Sequence, residues 1–189
     1  MSDEKKKIII LQGSPRKKGN STAMAKEIEK GAVAAGAEVE SVYIHSLNIK
    51  PCQACWVCQK PDSKGCSIKD DMQDLFPKLA EADAWVIATP IHWFNISTQT
   101  KLWMDRCFAL AKYGDNPFKK KIGIAIAYGD TDPYSSGAIN AIRCFQDSFN
   151  YIGAKIVGIV YGSATNIGDI LQNEEVLKKA EKLGRKLAG

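Results

Sequence analysis

Apolar residues fall in short unbroken runs along this chain, separated by helix-length stretches of mixed polarity. The first run, Ile8-Ile9-Ile10-Leu11, does not alternate with polar residues. It therefore reads as a strand buried on both faces. Further strands are expected at Val39–Ile44, Ala84–Ala88, Ile122–Ala127 and Lys155–Tyr161. The intervening patterns predict helices over Thr22–Ala35, Asp70–Ala82, Ser97–Lys112, Gly137–Tyr151 and Asn173–Leu187. Asn20, Ser21 or Thr22 can cap the first helix, which stops near Gly36. Pro77 lies inside the second, so that helix is kinked or starts later than its pattern suggests.

Five strands alternating with helices predict an α/β fold, a parallel sheet covered on both faces. No repeat, low-complexity tract or linker interrupts residues 1–189, which read as a single domain with a polar cysteine-rich loop inserted at 45–69. Open parallel sheets bind ligands outside the carboxyl ends of their strands, where the strand order reverses. Three loops are expected to meet there: 12–22, 89–97 and 128–136.

A length of 189 residues, 45% of them hydrophobic, suits one domain with a self-sufficient core. The longest apolar runs are far too short to cross a bilayer. The charged start MSDEKKK leads straight into the first strand with no secretory apolar region, so a soluble, cytoplasmic protein is expected. The net charge of +5 is mild, and the basic residues are scattered over 5–7, 16–18, 119–121 and 178–186. No basic stripe interleaved with aromatics is present, which argues against nucleic acid. A solvated surface, an acidic small ligand or an acidic electron-transfer partner all fit this balance.

The loop Gly13-Ser14-Pro15-Arg16-Lys17-Lys18-Gly19-Asn20-Ser21-Thr22 opens a helix and is dense in glycines, hydroxyls and amides. Free backbone N–H groups and the positive end of the helix dipole make such a loop an anion site. Ser14, Asn20, Ser21 and Thr22 can donate hydrogen bonds, and Arg16 can pair with phosphate oxygens. Gly13 and Gly19 let the backbone approach closely. The loop matches neither G-x-x-x-x-G-K-[ST] nor G-x-G-x-x-G, so triphosphate and dinucleotide readings lose ground. An ordinary strand-to-helix turn is the plainer alternative. After the third strand, Thr89-Pro90-Ile91-His92-Trp93-Phe94-Asn95 offers N–H groups and aromatic faces to a flat ligand. Trp93 and Phe94 could equally be interface or core residues, and Trp103 reads as core. Asp105-Arg106 reads as a structural ion pair.

The stretches IIILQGSPRKKGNSTAMA and ADAWVIATPIHWFNISTQTKLWMDR resemble two separated motifs of the NADPH-dependent FMN reductase and iron–sulfur flavoprotein family, and the likeness covers essentially the whole chain. The resemblance implies a flavodoxin-like three-layer sandwich with a five-stranded sheet in the order 2-1-3-4-5. It implies FMN as cofactor, with the 5′-phosphate on Ser14, Arg16, Asn20, Ser21 and Thr22. The isoalloxazine would lie against Pro90, Ile91, His92, Trp93, Phe94 and Asn95, flanked by Tyr128, Gly129 and Asp130. The family commonly has tyrosine where this chain has His92. A histidine there could tune the flavin or deliver a proton, or it could simply pack or face solvent.

Cys52, Cys55, Cys58 and Cys66 form a C-x2-C-x2-C-x7-C pattern. Such a crowded triplet with a nearby fourth thiolate suits a [4Fe–4S] cluster better than zinc, and the motif resembles that of iron–sulfur flavoproteins. A cysteine-rich substrate or subunit-contact loop is the alternative. Cys107 and Cys144 read as buried, inert residues. Three function classes follow. The first is an FMN oxidoreductase taking electrons from NAD(P)H to a quinone, a flavin, oxygen or a nitro compound. The second is an electron-transfer module with a cluster and a ferredoxin-like protein partner, and the third a non-redox phosphate-ligand binder. The resemblance also implies a homodimer or homotetramer.

Overall fold

A computed structural model describes residues 5–189; the first four residues of the charged start lie outside it. Five strands form one parallel sheet: β1 (Lys7–Gln12), β2 (Glu38–Tyr43), β3 (Ala84–His92), β5 (Lys121–Tyr128) and β6 (Lys155–Ser163). They lie in the order β2-β1-β3-β5-β6, which is the expected 2-1-3-4-5 when only the long strands are counted. A two-residue strand, β4 (Asn95–Ile96), folds back antiparallel on the end of β3 and was not anticipated.

Two hydrophobic layers sandwich the sheet. Helices α1 (Asn20–Ala34) and α5 (Glu174–Ala188) cover one face, with Met24, Ile28, Val176, Leu183 and Leu187 packed on Ile8, Ile10, Val86 and Ala125. Helices α2 (Met72–Glu81), α3 (Thr98–Arg106) and α4 (Ala138–Tyr151) cover the other. There Phe76, Trp103, Phe145 and Phe149 pack on Ile9, Leu11, Trp85, Ile87 and Ile124. The three central strands point successive side chains to opposite faces, and both faces are buried. Their apolar runs are therefore continuous.

The helix boundaries differ from expectation in instructive ways. α1 begins at Asn20, and its N-cap is Gly19, with no side-chain cap. α2 does start later, at Met72, and carries Pro77 as its sixth residue. The expected helix over Ser97–Lys112 stays α-helical only to Arg106 and then tightens into a 3-10 segment, Cys107–Lys112. Ser97 caps it, accepting from the Thr100 amide. Trp103 is core as expected, 1% exposed and edge-on to Trp85. No helix among the described residues is long and apolar enough to cross a membrane.

α1 and α5 cross backbone to backbone. A Cβ on Gly31 would sit 2.0 Å from the Glu181 carbonyl oxygen, and one on Gly184 would sit 2.0 Å from that of Ile28. Neither contact can be relieved by a rotamer change, because both obstacles are main chain. Gly31→Ala and Gly184→Ala are each expected to destabilise the fold by about 1–3 kcal/mol, as overpacked cores do. Denaturant unfolding checks this; an unchanged midpoint for both variants would mean that the helices do not approach this closely.

Candidate functional site

All five long strands end on the same edge of the sheet, so the loops that follow them emerge together. A cleft of about 240 Å³ opens at this edge. Its walls come from the loop after β1 (Ser14, Arg16, Gly19, Asn20, Ser21), the end of β3 (Pro90, Ile91, His92) and the end of β5 (Ala127, Tyr128, Gly129). These are the three loops expected from the sequence. A fourth wall was missed: Ala164, Thr165 and Ile167, from the loop after β6. The signal was available, since a fifth parallel strand must also release its chain at this edge.

The first loop is shaped by its own polar groups. The Ser14 hydroxyl accepts from the Arg16 amide at 3.0 Å and donates to the Arg16 carbonyl at 3.3 Å. The Thr22 hydroxyl donates to the same carbonyl at 3.4 Å. The Tyr43 hydroxyl, at the end of β2, donates to the Pro15 carbonyl at 2.6 Å, and the Lys17 ammonium sits 5.7 Å from the Tyr43 ring centroid. Ser14 and Thr22 thus build the turn. Two groups are left over. Arg16 is exposed at the cleft, and the Ser21 hydroxyl is buried with no partner. Ser21 stands in the uncapped first turn of α1, where backbone amides have no intrahelical acceptor. An unsatisfied buried hydroxyl, free amides, the positive dipole end and a guanidinium converge here. That is the donor set a phosphate needs.

Ser97 ties this loop to the next. Its hydroxyl, fully buried, donates to the Gly13 carbonyl at 2.6 Å. The Thr100 hydroxyl lies 2.9 Å from it, and the Ser97 amide donates to the Thr89 hydroxyl at 3.2 Å. Gly13 is forced by this contact, because a Cβ there would lie 1.9 Å from the Thr100 hydroxyl.

The second wall ends in a hairpin. His92 pairs with Asn95 across β3 and β4, so Trp93 and Phe94 are the two turn residues. Both have positive φ, 47° and 64°. A tight hairpin turn asks for this, and sequences normally supply Asn-Gly. Two bulky residues there cost about 1–3 kcal/mol each. The turn is held from outside: Asn140 donates to the Phe94 carbonyl at 3.0 Å, and Gly137 leaves room for the Phe94 backbone, 2.4 Å from where its Cβ would stand. Trp93 is 93% exposed at the tip. Trp93, Phe94 and Asn95 therefore stand beyond the cleft wall, as does Asp130, whose carbonyl accepts from Ser163. Burial, with Arg16 adding repulsion, disfavours the charged form of His92 and holds its pKa below the ordinary value.

A larger cavity, about 890 Å³, lies elsewhere. It reaches Trp85 at the start of β3, five residues from Pro90 and roughly 16 Å away along the strand. All six cysteines line it. The loop carrying four of them is anchored by a buried ion pair the sequence did not reveal. Arg106 pairs with Asp70 at 2.5 and 3.1 Å and donates to the Lys50 carbonyl and the Cys66 sulfur. Asp105 instead meets Lys101, so the expected Asp105–Arg106 pair does not form. Burial would raise Asp70, but the hydrogen bonds from Arg106 and the Lys50 amide outweigh it and hold the carboxyl below the usual range. Cys52 and Cys55 are exposed, and Cys58 and Cys66 half-buried. Although they share a cavity, no three His, Cys, Asp or Glu side chains among the described residues are gathered as a metal requires. The thiols as placed do not form a ligand set for a cluster. Cys107 and Cys144, expected to be buried, are half-buried at the residue level, and the burial of the Cys107 sulfur pushes its thiol pKa up.

Residues 6–169 match the family model of NADPH-dependent FMN reductases. The chain is 34% identical over 187 residues to an iron-sulfur flavoprotein of Archaeoglobus fulgidus, covering 96% of this chain and 79% of that one. It is 29% identical over 190 residues to an iron-sulfur flavoprotein of Methanocaldococcus jannaschii, covering 96% and 95%. Among solved structures, an NAD(P)H:quinone oxidoreductase from Methanothermobacter marburgensis superposes with a TM-score of 0.77 over 98% of each chain at 22% identity, a likeness of fold.

The position of His92 beside Arg16 has a measurable consequence. Its titration midpoint, followed by NMR, is expected below the ordinary 6.5, leaving the ring neutral at pH 7. Arg16→Gln removes a positive charge that opposes protonation, so the midpoint should rise. A midpoint that ignores the substitution would separate the two side chains.

Proposed function

The chain belongs to the NADPH-dependent FMN reductase family, and from that premise we propose that the edge cleft holds FMN and that the protein passes electrons from NAD(P)H to a small acceptor. One observation carries this reading: Ser21, whose buried hydroxyl has no partner among the described residues, and the uncapped start of α1 border the same cleft as Arg16 and the Pro90–His92 wall. When bound, FMN supplies the redox chemistry, taking hydride from reduced nicotinamide and returning electrons to the acceptor.

The residues present fit that group. Arg16, Ser21 and the first-turn amides of α1 hold the phosphate, and Ser14 and Thr22 keep the turn in shape to do so. Pro90, Ile91 and His92 frame the ring on one side, and Tyr128 and Gly129 on another. Trp93, Phe94 and Asn95 form the hairpin beyond the Pro90–His92 wall, and Asp130 follows Gly129. Burial and the nearby Arg16 disfavour the charged form of His92, which favours a neutral imidazole able to hydrogen-bond to a ring atom. The acceptor is a quinone, a free flavin, oxygen or a nitro compound. We place the protein in the cytoplasm as a single domain. A homodimer or homotetramer contact falls on the exposed Trp93 and Phe94.

A second reading is favoured by one observation: Cys52, Cys55, Cys58 and Cys66 all border one cavity. In it Cys52, Cys55, Cys58 and Cys66 would have to draw together to hold a [4Fe–4S] cluster, which would supply one-electron transfer to a ferredoxin-like partner. Purification without oxygen, with iron, sulfide and flavin assayed on one sample, decides between the two. About four irons and four sulfides per chain would favour the cluster, and flavin without iron the reductase alone.

The phosphate assignment is tested by titrating the apoprotein with FMN and with riboflavin, which lacks the phosphate. Arg16→Gln is expected to weaken FMN binding by roughly 10- to 100-fold, the range of a hydrogen bond to a charged group, and to leave riboflavin unchanged. Equal losses for both flavins would remove Arg16 from the phosphate site.

A further inference from the structure

Asn20 begins α1 inside the phosphate loop, where its amide was expected to bind the cofactor. Its side chain is already occupied. Nδ2 donates to the Asn166 carbonyl at 2.8 Å and approaches the Ala164 carbonyl at 3.4 Å. Oδ1 accepts from the Gly168 amide at 2.9 Å and lies 3.5 Å from that of Ile170. One side chain thus spans the main chain of the loop after β6, using both its donor and its acceptor. The orientation of the amide is fixed by this pattern, since a flipped group would set donor against donor and acceptor against carbonyl.

At its two ends that loop is held otherwise: the Ala164 amide donates to the Tyr128 carbonyl at 2.7 Å, and Ile170 is fully buried in the core under α1 and α5. Asp169 accepts from the Asn166 amide at 2.6 Å, a bond within the loop itself. Gly168 is in the left-handed region at φ +94°. Ile167 is 59% exposed, yet it and Thr165 line the cleft. An exposed isoleucine facing an open cleft gains burial only when something fills that cleft.

We propose that Asn20 is a positioning residue and not a phosphate ligand: it fastens the 164–170 loop to the start of α1 and so presents Thr165 and Ile167 as a fourth wall for the bound flavin. The inference rests on the FMN reading of the cleft. It makes a distinction the sequence could not, because phosphate ligation and loop fastening ask for the same residue at the same place.

The two roles separate on flavins with and without phosphate. Asn20→Ala is expected to weaken FMN and riboflavin by the same factor, roughly 10-fold, in contrast to the FMN-selective loss expected for Arg16→Gln. Ile167→Ala should weaken both flavins likewise. The double variant should be little worse than Asn20→Ala alone, because residues acting through one loop are not additive. Hydrogen exchange on the flavin-free protein gives a reading independent of binding. In Asn20→Ala the Gly168 and Ile170 amides should exchange faster, and in Asn20→Asp, which keeps the acceptor oxygen, they should stay closer to wild type. A loss confined to FMN, or unchanged exchange at Gly168 and Ile170, would overturn the inference while leaving the FMN reading intact. A wild-type chain that binds neither flavin would overturn that reading, and the inference with it.

Discussion

Parallel strands must each be entered from the same end, so every connection returns across a face of the sheet and every strand releases its chain at one edge. In this protein that constraint places the loops after β1, β3, β5 and β6 side by side. It also sets the start of α1 at the same edge, with its free amides and positive dipole end facing outward. The buried Ser97 hydroxyl turns this proximity into a rigid arrangement by joining the Gly13 carbonyl to the start of α3. The order of the sheet makes the cleft, and a few buried polar contacts hold its shape.

Two concave regions compete for attention, and they differ in chemistry more than in size. The large cavity is apolar, bordered by cysteines and aromatic rings, and closed by a loop that hangs on the Asp70–Arg106 pair. That pair is costly to break from one side, because either partner alone would be left charged and buried. The smaller cleft brings together the Ser21 hydroxyl, unpartnered among the described residues, the uncapped start of α1 and the exposed Arg16 guanidinium, with a strained hairpin just beyond its wall. The strain at Trp93 and Phe94 persists because Asn140 and Gly137 hold the turn from α4.

Much of the architecture was legible because the three central strands are buried on both faces and so read as continuous apolar runs. The Gly-rich loop was legible as a turn that opens a helix, because its composition reports both. What escaped was long-range. Arg106 looked like a partner for its neighbour Asp105, but helical geometry carries it to Asp70, 36 residues away. Asn20 looked like a phosphate donor, but its partners lie in a loop more than 140 residues further on. The fourth wall followed from topology alone and needed only the rule that parallel strands share an exit edge. The cysteine spacing was visible, while the placement of the four thiols around a cavity without a gathered ligand set was not.

The central claim is that the donors at the start of α1 hold the phosphate of FMN. A crystal structure of the chain with FMN tests it most directly. The account predicts the phosphate within hydrogen-bonding distance of the Ser21 hydroxyl and the first-turn amides, with Arg16 beside it and the ring between the Pro90–His92 and Tyr128–Gly129 walls. Flavin seated in the cysteine-lined cavity, or phosphate bound away from the start of α1, would contradict it.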